Sequence, residues 1–146
     1  MARTPESKFV SRVEKLLDPR IHCEGMANPY RGGTPDRYYE YVRSALWVEY
    51  KYWKSARRLA PEDALPSHWD ASLKISALQR KWLTRAFWNR HEVCVIAGFG
   101  DRAMILTTPT DWEKDWLREE IKASTYTIEH ITSYIEGKLL WKDPLL

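Results

Sequence analysis

Asp36, Glu49 and Lys51 are the side chains whose types and spacing suit a reaction. Asp36 follows a proline in "GGTPDRYY", and Glu49 and Lys51 sit two apart in "LWVEYKY". On a strand, alternate side chains share a face, so Trp47, Glu49 and Lys51 project together while Leu46, Val48, Tyr50 and Tyr52 form the other face. Two opposite charges on an otherwise apolar strand suit metal-assisted hydrolysis of a phosphodiester. A hard divalent ion such as magnesium takes oxygen ligands, commonly one or two carboxylates with water and phosphate oxygens. Asp36, starting the preceding strand, reaches the same spot as Glu49 if the two strands form an ordinary hairpin. A lysine beside them can orient the attacking water or stabilise charge building on phosphorus. The structural alternative is a solvated strand face carrying a weak Glu–Lys pair.

The elements that must hold these groups can be read along the chain. "TPESKFVSRVEKLL" opens a helix, with Thr4 as cap, Pro5 in the first turn, and Phe9, Val13, Leu16 and Leu17 at helical spacing. "IHCEGM" reads as a short strand and "NPYRGGTP" as a loop. Strands follow at about Arg37–Val42 and Leu46–Tyr52, joined by "RSA". Residues 54–72 read as a long loop, and the longest helix is expected from Ser72 to about Arg90. "VCVIAG" is a nearly all-apolar central strand, "RAMILTT" pairs with it across a glycine-containing turn, and Thr110 is expected to cap a helix through about Glu120. A last helix, Thr127–Leu139, carries Ile128, Ile131, Ile135 and Leu139 on one stripe. This order predicts an α/β protein, a mixed sheet with helices on its faces.

Helix geometry singles out one more polar group. Ile75, Leu78, Gln79, Trp82 and Ala86 fall on one stripe, which places Gln79 on the buried face. A buried amide needs partners, which either an active site or the local backbone supplies.

"TPD", a spacer and "EYK" on consecutive strands resemble the PD-(D/E)XK nuclease signature, with Pro35-Asp36 and Glu49-Tyr50-Lys51 at its positions. A preceding helix with an early acid, Glu6, and a following helix with Gln79 add to the likeness. The pattern is similar to virus-type replication-repair nuclease (VRR-Nuc) domains and to phage endonucleases that resolve Holliday junctions. That resemblance implies a restriction-endonuclease-like core in α-β-β-β-α-β-β order over about residues 4–108, with C-terminal helices over about 109–146 in the same single domain. It implies a magnesium (or manganese) ion held by Asp36, Glu49 and the Tyr50 carbonyl, with Lys51 assisting the water. Glu6 would be the additional acid, although Glu14 and Glu24 remain open for that role, and Gln79 would match the glutamine of the helix after the motif. A small phage-like accessory protein acting in the host cytoplasm would fit the same likeness.

Charge and composition point the same way without deciding it. Net charge is +3, but residues 51–91 hold nine Lys and Arg against three acids, whereas residues 111–120 hold five acids and two bases. A polyanion such as DNA (duplex, forked or junction) would then be held by Lys54, Arg57, Arg58, Lys74, Arg80, Lys81 and Arg85 through phosphate contacts that carry no sequence preference. Solvated helix faces explain the same charges equally well. Cutting four-way junctions would require a symmetric dimer.

Eight Trp and eight Tyr are many for 146 residues, and the cluster of Tyr38, Tyr39, Tyr41, Tyr50, Tyr52 and Trp53 suits cross-strand packing better than base stacking. The histidines are scattered without zinc-ligand spacing. Two distant cysteines suit buried thiols in a reducing, cytosolic setting. No stretch is long and apolar enough for a membrane span, and the start lacks a signal-peptide core. The competing function is a non-catalytic nucleic-acid-binding or adaptor protein on a nuclease-like fold; a Trp-rich interaction protein is a third.

Overall fold

The computed structural model describes residues 4–26, 32–53, 75–114, 116 and 118–141. Helix α1 (Pro5–Leu16) starts where the sequence places it: Thr4 accepts the Ser7 amide and Pro5 occupies the first turn. Phe9, Val13 and Leu17 are buried, but Leu16 faces outward, half exposed. Three strands follow, β1 (His22–Gly25), β2 (Arg37–Tyr41) and β3 (Ser44–Tyr52). The β2–β3 connection is tighter than the expected "RSA". Val42 and Arg43 alone make the turn, Tyr41 pairs with Ser44, and Val42 takes a left-handed φ of 46°.

After β3, α2 (Ala77–Trp88) leads to β4 (Val93–Phe99) and β5 (Arg102–Leu106). Helix α2 begins later than the expected Ser72 because Ser76 caps it in a capping box with Gln79. Asp101 and Gly100, at φ 63°, form the expected tight β4–β5 turn. The C-terminal part differs most from expectation. Thr108, not Thr110, caps a short α3 (Pro109–Glu113), which ends at Lys114, and α4 (Arg118–Ala123) is separate. Strand β6 (Tyr126–Thr127), too short to announce itself by periodicity, precedes α5 (Ile128–Leu139), whose cap is Thr127.

The six strands lie side by side in chain order, β1 to β6. Every neighbouring pair is antiparallel except β3–β4, which is parallel. A parallel pair needs a long crossover, and α2 lies in it. The sheet is therefore mixed, with helices on its faces.

Alternation along the strands divides the core in two. On one face Leu46, Val48, Tyr50, Cys94 and Ile96 pack with Phe9 and Val13 of α1 and with Ile128, Ile131, Ile135 and Leu139 of α5. On the other, Val93, Val95, Ala97, Met104 and Leu106 pack with Leu83 and Ala86 of α2, Trp112 of α3 and Ile121 of α4. The predicted α5 stripe is the buried one. On α2 the buried positions are Leu83 and Ala86, while Leu78, expected inside, is 59% exposed.

Candidate active site

Glu49 projects from β3 toward the α2 face, opposite Val95 of β4, yet its residue is only 1% exposed. Lys51, two residues on and facing Ala97, shares that face. Apolar neighbours dictated by the pleat, Val95 and Ala97 on β4 among them, desolvate the carboxyl. Desolvation and then the Asp36 carboxylate push the Glu49 carboxyl up to about 9, with Lys51 pulling the other way.

Three further elements bring polar groups to this point. Lys51 Nζ lies 3.9 Å from Glu49 Oε1, at the outer limit of an ion pair, and its side chain keeps 21% exposure. Asp36 stands one residue before β2, and continuing the pairing of Arg37 with Val48 sets it opposite Glu49. Its Oδ2 accepts the Tyr50 amide at 3.1 Å, which ties the carboxylate to the strand that carries Glu49. Glu6, in the first turn of α1, is driven above the ordinary carboxylate range by burial and then by Asp36, while Lys51 opposes the shift. The Asp36, Glu49, Lys51 and Glu6 side chains thus share one electrostatic environment at the end of β3.

Gln79 completes the cluster through a division of labour within one amide. Its Oε1 accepts the Ser76 backbone N–H at 2.9 Å, and its own backbone N–H donates to Ser76 Oγ at 3.1 Å. With the oxygen committed to the helix cap, the Nε2 is turned toward β3 and donates to Glu49 Oε1 at 2.6 Å. Such an arrangement explains how the glutamine faces inward although Leu78 beside it does not. The chain before Asp36 is pressed against the same helix turn. Gly33 has φ +101°, and a Cβ there would lie 2.5 Å from the Leu78 carbonyl oxygen, so only glycine fits the approach that delivers Asp36.

Ser76 and Gly33 were not singled out from sequence. The Ser-x-x-Gln spacing of a capping box was readable in "SALQ"; nothing in "GGTPD" alone specified which helix the loop would meet.

The other two acids considered for the additional role are engaged elsewhere. Glu14 accepts two bonds from the Arg37 guanidinium, at 2.9 and 2.7 Å, and the exposed Glu24 lies 3.4 Å from His22 Nε2. Of the candidate DNA contacts, Lys54, Arg57, Arg58 and Lys74 lie outside the described residues. Arg80, Lys81 and Arg85 are exposed on α2, around a shallow groove they share with Thr84 and Glu113. The expected separation of basic and acidic segments is therefore incomplete: α3 docks on α2, with Trp112 donating to Thr84, and brings Glu113 among the cations.

Aromatic residues behave mostly as packing. Tyr39 and Tyr50 are buried with their hydroxyls hydrogen-bonded at 2.8 Å, and Tyr38, Trp47 and Trp82 pack in series as tilted rings, centroids 4.6 and 5.2 Å apart, on the α2 face. Cys94 is buried and Cys23 partly so, both as free thiols.

The donor set suits a hard cation. Glu49 Oε2 is buried and lacks a hydrogen-bond partner among the described residues, an arrangement that ordinarily needs an explanation. Among the described residues no three His, Cys, Asp or Glu side chains converge as a complete ligand cage. Asp36, Glu49 and the Tyr50 carbonyl offer two carboxylates and a carbonyl, a set that fits an ion retaining several waters.

Comparison with protein-family models, with curated proteins and with solved structures finds no match to this chain. Among the described residues no helix is long and apolar enough to cross a membrane.

Proposed function

We propose that the protein is a metal-dependent endonuclease that hydrolyses DNA phosphodiester bonds, selecting by nucleic-acid structure and not by base sequence, on a PD-(D/E)XK core. The observation that carries this reading is Glu49: a fully buried carboxyl whose Oε2 has no hydrogen-bond partner among the described residues, held beside Asp36, Lys51 and Gln79. Burying a carboxylate costs several kcal/mol of solvation, so a purely structural role would favour an apolar residue in its place.

In this reading Asp36, Glu49 and the Tyr50 carbonyl hold magnesium or manganese. The chemistry such an ion supplies when bound is acidification of water and polarisation of the phosphate. Hydrolysis forms a bond from water oxygen to phosphorus, breaks the bond to one sugar oxygen, and leaves that oxygen to be protonated. Lys51 stabilises the negative charge that grows on the phosphoryl oxygens, and its loose contact with Glu49 leaves it free to do so. Gln79 holds Glu49 Oε1, which leaves Oε2 as the oxygen available to a cation. The half-buried Glu6 stands at the edge of the same site as the additional acid.

The test is cleavage of labelled single strand, duplex, splayed fork and four-way junction DNA with magnesium, manganese or EDTA. Metal-dependent cutting that falls about 10²–10³-fold in Lys51→Ala is the expected result. Binding of the panel without cutting under any metal would instead make the protein a nucleic-acid-binding module.

A further inference from the structure

A second groove opens on the other side of the β3 end, between the first turns of α1 and the β4–β5 turn. It encloses about 690 Å³ and is lined by Pro5, Lys8, Phe9, Arg12, Tyr52, Gly100 and Asp101. That volume is in the range that admits a ligand of nucleotide size. Nothing in the candidate active site uses these side chains.

Three features say what it would hold. Lys8 and Arg12 are exposed and one helical turn apart, and neither has an ion-pair partner among the described residues. Cations spaced four residues along a helix stand on one face about 5–6 Å apart, which suits successive phosphates of one strand. The aromatic wall is rigid: Tyr52 donates its hydroxyl to the Gly100 carbonyl at 2.9 Å and leans on Phe9 at 5.9 Å. Gly98 beneath it cannot gain a Cβ without meeting the Tyr52 ring at 2.6 Å, so the ring is held close against β4. Asp101 on the opposite rim repels phosphate, which confines the phosphates to the α1 side. Its carboxylate can accept from a sugar hydroxyl or a base amino group.

The groove adjoins the candidate centre on two elements at once. Tyr52 follows Lys51 at the end of β3 but turns to the α1 face, so a strand passing the end of the sheet meets both, and Glu6 precedes Lys8 by two residues on α1. We propose that this groove binds the DNA strand beside the bond to be cut, its phosphates on Lys8 and Arg12 and a sugar or base against Tyr52. The proposal rests on the nuclease reading for the word "cut" but not for the binding itself.

The experiment is titration of a short fluorescein-labelled single strand in EDTA, followed by anisotropy over a range of salt. Wild type is compared with Lys8→Ala/Arg12→Ala and with Arg43→Ala/Arg90→Ala, which removes the same charge from exposed positions at the far end of β3 and β4. The groove variant should bind about tenfold more weakly, with a log–log salt slope shallower by about 1.4, as expected for two lost single-strand phosphate contacts. Lys8→Arg/Arg12→Lys should restore both. Equal affinity and slope in wild type and the groove variant would overturn the proposal, as would the same loss in the distant-charge control. Cleavage by wild type and by the groove variant, with magnesium and manganese, is measured alongside. Binding that depends on Lys8 and Arg12 without any cleavage leaves the groove standing and removes the nuclease; cleavage unaffected by the groove variant does the reverse.

Discussion

Strand β3 presents two different faces within seven residues. Toward α1 and α5, Leu46, Val48 and Tyr50 are completely buried, and the polar atoms there are hydroxyls: Tyr50 bonded to Tyr39, Tyr52 to the Gly100 carbonyl, and a buried Ser44 Oγ without a partner among the described residues. Toward α2, Trp47 packs on Tyr38 and Trp82, but the next two positions are Glu49 and Lys51. Burial is equally deep at Val48 and Glu49. What differs is the kind of polar group: neutral hydroxyls on the first face, a carboxyl and an ammonium on the second. The first arrangement is that of a core. The second holds a charge in reserve, at the carboxyl end of the two parallel strands, where ligands of α/β proteins commonly bind.

The sharpest way to break this contrast is to put the same group on the wrong face. Val48→Glu buries a carboxylate with neither lysine nor amide beside it. It should cost about 3–5 kcal/mol, enough to leave much of the protein unfolded in a urea titration. Stability close to wild type would mean that the α1/α5 face tolerates charge and that Glu49 is nothing special.

A second change acts on Gln79. In Gln79→Glu the capping box survives, because a carboxylate also accepts the Ser76 N–H, but the donor to Glu49 becomes an acceptor. Metal affinity measured by calorimetry, and any cleavage, should fall about 10–100-fold, while stability falls by only about 1–3 kcal/mol and the protein stays folded. A parallel loss of fold and function would reduce Gln79 to a helix cap.

The pH dependence tests the same face without changing substrate. Glu49 is protonated more readily folded, at about 9, than at its ordinary 4.5, so its contribution to stability is fully present below 4.5. In metal-free protein that contribution should drain away as pH rises from 4.5 to 9, and Glu49→Gln should flatten the slope of stability against pH across this window. An unchanged slope in the variant would show that Glu49 titrates normally. Metal binding should strengthen with pH over the same interval, since the ion competes with the proton.

The smallest effect is expected on the face that carries only hydroxyls. Tyr39→Phe removes one hydroxyl from the Tyr39–Tyr50 pair and should cost about 1 kcal/mol in stability with no change in metal affinity. A loss of metal binding there would join the two faces that the structure keeps apart.

Legibility in the sequence follows the range of the interactions. Helix α1 and α5 were read almost to the residue because their caps, Thr4 and Thr127, and their apolar stripes are local signals. The acidic segment was misread as one helix because the break at Lys114 coincides with packing of Trp112 on α2, Nε1 donating to Thr84. Leu78 and Leu16 were assigned inside because periodicity defines a stripe but not its width. Strand β6 is two residues long and owes its existence to pairing with β5.

By itself the sequence determined the alternation that puts Glu49 and Lys51 on one strand face, the helix starts, and an α/β order of elements. These depend on backbone geometry and on neighbours within a few residues, which any reading of the chain contains. Only the tertiary structure decided that Glu49 is desolvated, that Asp36 is fastened to the Tyr50 amide, and that Gln79 reaches across thirty residues to Glu49. It alone placed Lys8 and Arg12 beside Tyr52. Burial and convergence are properties of distant segments brought together, and the free energy that joins them comes from the two apolar layers, not from the polar residues they position.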